Sequence, residues 1–206
     1  MRCPPDVEAK LDVSRETLER LTAYVALIEK WNKRINLISK STVGDIWHRH
    51  ILDSVQVWGA VDGPFVHWAD LGSGGGLPGI VVAILASEQG GAKVTLVEAD
   101  QRKASFLRAA LRETGAKAEV LAQRIDEVPC LNADIMSARA LAPLERLLEF
   151  CDCHLAPGGT AVFPKGARAN EELEEARQTW SFDCEALPSA TDDAAVILRI
   201  GEIQRV

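Results

Sequence analysis

From Ser14 to Ile38 the apolar residues return every third or fourth position, at Leu18, Leu21, Val25, Ile28 and Ile35. That spacing lays one face of a helix against a core. Ser14 and Thr17 offer N-caps, and Glu16 and Glu19 place negative charge in the first turn, where unpaired backbone N–H groups favour it. A second helix is predicted from about Val43 to Val57. Neither segment alternates as a strand does, so residues 1–60 read as a helical lead-in packed on a core formed by residues 61–206.

After Gly63-Pro64 the pattern changes. "FVHWADL" is a short apolar strand, "PGIVVAILAS" a helix, "KVTLVEA" a strand, and "RKASFLRAALRET" a helix closed by Gly115. "AEVLAQRI" and "ADIMSARA" read as two more strands, and "PLERLLEFCDCHL" as a helix ended by Pro157-Gly158-Gly159. "TAVFPKG", an acidic helix and a terminal strand pair, "SFDCEAL" with "AAVILRIGEI", complete the chain. Strands and helices alternating on this scale predict an α/β fold, a mostly parallel sheet with helices on both faces.

In such sheets a ligand sits beyond the carboxyl ends of the strands, so the loop after the first strand, "DLGSGGGLPGI", is where a cofactor belongs. Two patterns overlap in it. Gly74-x-Gly76-x-x-Gly79 matches the dinucleotide fingerprint and points to a nicotinamide-dependent oxidoreductase. Asp70-x-Gly72-x-Gly74-x-Gly76 instead resembles the loop of Rossmann-like methyltransferases that use S-adenosylmethionine (SAM). A carboxylate suits the cationic sulfonium and ammonium of SAM better than it suits a pyrophosphate. The second strand ends in Glu98, placed to accept hydrogen bonds from ribose hydroxyls. The two acids together favour SAM as cofactor.

Composition excludes little. The chain is 47% hydrophobic and 26% charged, has no apolar run of membrane-spanning length, and opens on "MRCPPDVEAK", which lacks a signal peptide's apolar core, so a cytoplasmic protein is expected. Its five cysteines fall in no repeated metal-ligand spacing, and no metal is expected; Cys151-x-Cys153 reads as two small apolar residues near a helix. The net charge of −7 argues against a protein that coats nucleic acid without regard to sequence. The charge is uneven, however: Lys33, Arg34, Lys40 and Arg49 face Asp45 alone between residues 31 and 50, a local balance of +3. One basic face on an acidic protein can still meet RNA.

Six stretches in order, "WNKRINLIS", "HILDSV", "DLGSGGGLPGI", "VEADQRKASFLR", "ARA" and "FPKG", are similar to the bacterial ribosomal RNA small-subunit methyltransferase G (GidB) family, over nearly the full length. The resemblance implies a Rossmann-like fold and transfer of methyl from SAM to the position-7 nitrogen of one guanine in small-subunit (16S) ribosomal RNA. It implies as partner that RNA, free or within a ribosomal subunit or assembly intermediate. Carried over by position, Gly72 and Leu77 meet SAM on the loop, and Ile125 and Asp126 meet the adenosine where the family more often has Ala-Glu. Arg139, in "ARA", lines the cofactor and substrate cavity and is the expected catalytic residue.

Guanine's position-7 nitrogen already bears a lone pair, so attack needs no deprotonation and catalysis can rest on alignment and electrostatics. The chain accordingly has no Asp/Asn-Pro-Pro-aromatic motif, and Pro129-Cys130 precedes the fourth strand instead of following it. Lys33, Arg34, Arg102, Lys103, Arg124 and Lys165 are the candidate phosphate contacts, each otherwise a solvated cation. His50 and Asp53 form either a surface hydrogen-bonded pair or part of a pocket mouth, and Asn36 either turns the chain or meets substrate. A SAM methyltransferase of a small molecule or protein is the alternative within the same fold. Nothing in the sequence demands an obligate dimer, and a monomer is expected.

Overall fold

The helical lead-in resolves into shorter pieces than its periodicity suggests. The computed structural model describes residues 1–88 and 90–206. Helix α1 spans Pro5–Leu11, a turn the sequence pattern did not mark, and α2 spans Arg15–Asn32, with the Ser14 hydroxyl accepting from Thr17 N–H at 3.1 Å. Where the periodicity continues to Ile38, the helix in fact stops at Asn32. The Asn32 side-chain oxygen accepts from the Leu37 and Ile38 amides (2.8 and 3.1 Å) and folds the chain back, a contact that competes with the helical ladder.

The predicted helix over Val43–Val57 is three windings in succession: a 3-10 segment Lys40–Asp45, a π-wound segment Trp47–Leu52, and α3, Asp53–Gly59. The wide middle turn lets His50, Ile51 and Leu52 all be buried in sequence, which a regular helix of one apolar face cannot do.

From there the strands are β1 (His67–Leu71), β2 (Lys93–Val97), β3 (Glu119–Leu121), β4 (Ala133–Ser137), β5 (Leu155–Lys165), β6 (Trp180–Pro188) and β7 (Val196–Arg205). The helices are α4 (Gly79–Glu88), α5 (Gln101–Thr114), α6 (Leu144–His154) and α7 (Ala169–Ala176). Among the described residues the strands form one sheet in the order β3-β2-β1-β4-β5-β7-β6. The first five are parallel, and β7 runs antiparallel between β5 and β6. β3 is shorter than expected because the chain leaves the sheet after Leu121 and turns through Ile125–Glu127. Helix α6 ends at His154, and Pro157–Gly159 instead fall in the irregular first part of β5, where the pairing with β4 shifts register.

Chain order reverses between β1 and β4, so their carboxyl ends diverge into separate loops and open a crevice. Helix α4 behind this crevice is apolar all round and buried from Gly79 to Ala86. On that side Leu21, Val25 and Ile28 of α2 join Ile80, Ile84, Phe106 and Leu107 in one continuous apolar cluster. A second cluster on the opposite face gathers Met136, Leu147, Leu148, Phe163 and Leu198. Because α2 shares a core with α4 and α5, the lead-in should unfold together with the sheet. Ile28→Ala, at a fully buried position, should cost about 2–5 kcal/mol and lower the midpoint of one cooperative transition. Calorimetry and near-UV circular dichroism check this; an early separate transition would mark residues 1–60 as an independent unit.

Candidate active site

Two cavities meet at the carboxyl ends of the parallel strands. The first, of about 470 Å³, lies over the ends of β1, β2, β3 and β4. Gly72 and Gly74 form one wall, Glu98 the floor, Gln123 to Asp126 the far side, and Ala140 to Ala142 the near side. Its size is that of a small-molecule site.

Gly72 has φ of +64°, and a Cβ there would come within 2.5 Å of the Leu141 side chain. Any larger residue would strain the backbone and displace the Leu141 side chain that borders the cavity. The Gly74 N–H donates to Glu98 Oε2 and the Asp100 N–H to Glu98 Oε1, each at 2.7 Å. Glu98 thus links the glycine loop to the start of α5. Each carboxylate oxygen keeps lone-pair capacity for a further donor from the cavity. Ile125 and Phe150 supply apolar surface, with the Arg146 guanidinium 4.5 Å from the Phe150 ring centroid. Asp126 pairs with Arg146 at 2.7 Å, and the Arg124 guanidinium stands 3.7 Å from the same carboxylate.

Asp70 occupies a different place from the one its motif suggests. It is 1% exposed and lies beneath the loop rather than on the cavity wall. Ser137 donates its hydroxyl to Asp70 Oδ1 at 2.7 Å, and Trp68 donates its indole N–H to Ser137 Oγ at 2.9 Å, so β1 and β4 are joined at the point where they diverge. The other carboxylate oxygen faces the first residue of α4, where a Cβ on Gly79 would come within 2.5 Å of it. Burial pushes the Asp70 carboxyl up to about 6, opposed by the Ser137 hydrogen bond to Oδ1, while Oδ2 has no hydrogen-bond partner among the described residues. Gly76 and Leu77 likewise lie in the buried turn under α2, whose Tyr24 hydroxyl donates to the Gly75 carbonyl. None of Asp70, Gly76 and Leu77 lines the cavity.

The second cavity, of about 340 Å³, shares Ala140 and Ala142 with the first. Three ion pairs ring it: Arg139–Asp53 at 3.4 Å, Arg49–Asp192 at 3.1 Å and Lys165–Glu172 at 2.7 Å. Arg139 also donates to the Arg49 carbonyl at 2.8 Å, and Thr191 donates its hydroxyl to Asp53. Burial raises the Asp53 carboxyl, opposed by the Thr191 hydrogen bond and by Arg139. The Lys165 ammonium is not an exposed cation. Its side chain is 9% exposed and it donates to the Ala142 carbonyl at 3.0 Å, while Glu172 accepts from the Leu144 amide at 2.8 Å. This pair therefore clamps the segment dividing the two cavities. Within that segment Ala140 has φ of +52°, a conformation an alanine rarely adopts.

The structure brings Gly72, Gly74, Glu98, Arg124, Ile125 and Asp126 together at the first cavity, and Arg139, Asp53 and Lys165 at the second. His50 does not pair with Asp53. It is buried, its Nε2 lies 2.8 Å from the Thr42 hydroxyl, and burial lowers its pKa to about 4, so it stays neutral at pH 7. Asn36 is exposed and lines neither cavity. Lys33 and Arg34 lie at a third cleft beside α5. The sequence reading passed over Phe150, Arg146, Glu172, Thr191 and Asp192. Only Arg146 and Phe150 carried a signal, four apart on one helix and therefore on one face.

The sheet order, the glycine loop and the strand-end acid define a Rossmann-like methyltransferase architecture. A solved ribosomal protein L11 methylase from Lactobacillus delbrueckii subsp. bulgaricus has the same fold, with a TM-score of 0.57 at 20% identity over 73% of this chain and 76% of that one. The family model for rRNA small subunit methyltransferase G (GidB) matches residues 17–193. Ribosomal RNA small subunit methyltransferase G of a Ruegeria species is 51% identical over 96% of both chains. The protein of that name from Cereibacter sphaeroides is 52% identical over 97% of this chain and 98% of its own. The chain belongs to the rRNA small subunit methyltransferase G family. Membership decides between the two readings of the glycine loop in favour of methyl transfer.

The buried Asp70 makes a stability prediction. Its folded pKa is raised, so its contribution is full below the ordinary aspartate value of 3.8 and is lost as pH rises through about 6. Asp70→Asn, which has no such titration, should gain on the wild type by up to about 3 kcal/mol between those limits. Denaturant unfolding across that pH range checks it; parallel pH profiles would show that Asp70 is not desolvated.

Proposed function

We propose that the first cavity holds SAM and that the second receives the guanine of small-subunit (16S) ribosomal RNA whose position-7 nitrogen is methylated. The observation that carries this reading is the wall shared by the two cavities at Ala140 and Ala142, which sets a cofactor-sized space beside a polar pocket. SAM supplies a methyl group on a cationic sulfonium.

The residues of the first cavity fit that cofactor. Glu98 accepts the ribose hydroxyls, Ile125 and Phe150 border the adenine, and the side-chain-free wall at Gly72 and Gly74 admits the methionine portion. Asp70 acts at one remove, by holding the loop and the β4 end in register.

In the second cavity every carboxylate is tied to a cation, so none stands ready as a free base. That suits a nucleophile with a lone pair and no proton to lose. The same lining offers N–H donors and carboxylate acceptors. Guanine presents a carbonyl acceptor on one edge and N–H donors on the other, whereas adenine presents an amino donor in place of that carbonyl. Arg139, between Asp53 and the shared wall, is the group placed to orient the base and answer charge in the transition state.

A net charge of −7 with cations confined to patches suits a structured ribonucleoprotein surface better than bare RNA, and we take a small-subunit particle in the cytoplasm as the substrate. The exposed large hydrophobics among the described residues are Met1, Val66 and Val206, too scattered for an obligate interface, which supports a monomer.

Glu98→Gln keeps one acceptor oxygen and removes the charge. It should weaken SAM binding by about 1.5–3 kcal/mol in calorimetry, roughly ten- to a hundredfold. Unchanged affinity would remove Glu98 from the ribose. Arg139→Ala should bind SAM normally yet transfer labelled methyl to small-subunit particles at least about a hundredfold more slowly. Near-normal transfer would take Arg139 out of the reaction.

A further inference from the structure

A third cleft, of about 600 Å³, lies between the end of α2 and the first turns of α5, outside both cavities described above. Its floor is apolar, made by Trp31 and Ile35, and its rim carries Lys30, Lys33, Arg34 and Arg102. The Trp31 ring meets Phe106 edge-on, with centroids 5.6 Å apart and planes at 66°, and the side chain remains partly exposed toward the cleft. Arg102 is held by Asp100 at 3.1 Å. Lys30, Lys33 and Arg34 are exposed and make no ion pair among the described residues.

These three cations stand on a protein of net charge −7, in which the cations of the second cavity are all neutralised by partners. A half-exposed indole ringed by unneutralised cations matches an unpaired nucleobase with its flanking phosphates: the base stacks, and the phosphates take the charge. The cleft also adjoins the first cavity across α5. Lys103, the residue after Arg102 on α5, lines the first cavity.

Resting on the reading of this protein as a ribosomal RNA methyltransferase, we propose that the Trp31 cleft is a second RNA subsite. It binds one unpaired nucleotide away from the target guanine by stacking on Trp31, with backbone phosphates held by Lys30, Lys33 and Arg34. The stack discriminates single strand from duplex without reading sequence, since every base has a π face. The second cavity then needs to read only the guanine itself.

The test compares Trp31→Leu and Trp31→Phe in anisotropy titrations with a labelled single-stranded oligouridylate and with a duplex of the same length. SAM affinity and the thermal midpoint of each variant serve as controls. Leucine should weaken single-strand binding about tenfold and abolish the preference over duplex, whereas phenylalanine should stay within about threefold of wild type. The triple change Lys30→Ala, Lys33→Ala and Arg34→Ala should flatten the salt dependence of single-strand binding by about two log–log units, while Trp31→Leu leaves that slope in place.

Equal losses with Phe and Leu, or none with Leu, would overturn the stacking site. So would a Leu variant impaired toward intact subunits but normal on bare RNA, which would assign the face to a protein. If the Leu variant does not fold, photocrosslinking of wild type with 4-thiouridine RNA decides: a crosslink on residues 30–35 sustains the subsite, and crosslinks elsewhere alone reject it. The parent reading fails separately, when wild type transfers no methyl to ribosomal RNA whatever the oligouridylate does.

Discussion

The hydrogen bond from Ser137 to the buried Asp70 carboxylate joins the ends of β1 and β4 where the sheet reverses its order. The two strands pair in parallel up to Asp70 and Ser137, and beyond that pair their loops leave in opposite directions. Here a desolvated carboxylate supplies a tie, reinforced by the Trp68 indole through the same hydroxyl. The glycine loop leaves from one strand of the pair, and the segment from Ala138 to Pro143 leaves from the other. Both walls of the first cavity, and the partition between the two cavities, therefore inherit their position from this contact. A buried carboxylate is costly unless its oxygens are bonded. Its place beside the N-terminus of α4, where the helix's partial positive charge lies, offsets part of that cost.

The fold was legible because β1, β2 and β4 are buried, their apolar runs are broken by loops, and α5 carries its own caps. Asp100 accepts from the Arg102 and Lys103 amides to start α5, and Gly115 ends it with φ of +67°. Legibility failed where side chains overrode periodicity. Asn32 cuts α2 short by capturing two amides, and the π-wound turn at Trp47–Leu52 departs from the 3.6-residue period by which the apolar pattern is read. The site divided along the same line. Residues on the loop after β1 and at the end of β2 were visible because local geometry demands glycine and an acid there. Glu172, Thr191 and Asp192 come from far along the chain, and no local pattern announces that α7 and the β6–β7 loop fold over the end of β4.

The motif acid also shows how one residue type serves two purposes. Asp70 and Glu98 both precede or follow the glycine loop, and sequence alone assigns each to the ligand. Burial separates them: Glu98 reaches the cavity while bracing Gly74, and Asp70 is sealed beneath it. Both organise the loop, one from the ligand side and one from the core side.

The ring of ion pairs around the second cavity joins stretches far apart in the chain. Arg49 and Asp53 come from the lead-in, while Asp192 and Thr191 come from the loop between the last two strands. During synthesis the lead-in, the glycine loop and the first five strands emerge before that loop does, because chains grow from the N-terminus. A nascent chain can thus assemble the first cavity while Arg49 and Asp53 still face open water without their partners. The pocket beside it takes shape only when translation has passed residue 192. That pocket thus waits on a residue 143 positions downstream of Arg49, made well after the lining of the first cavity.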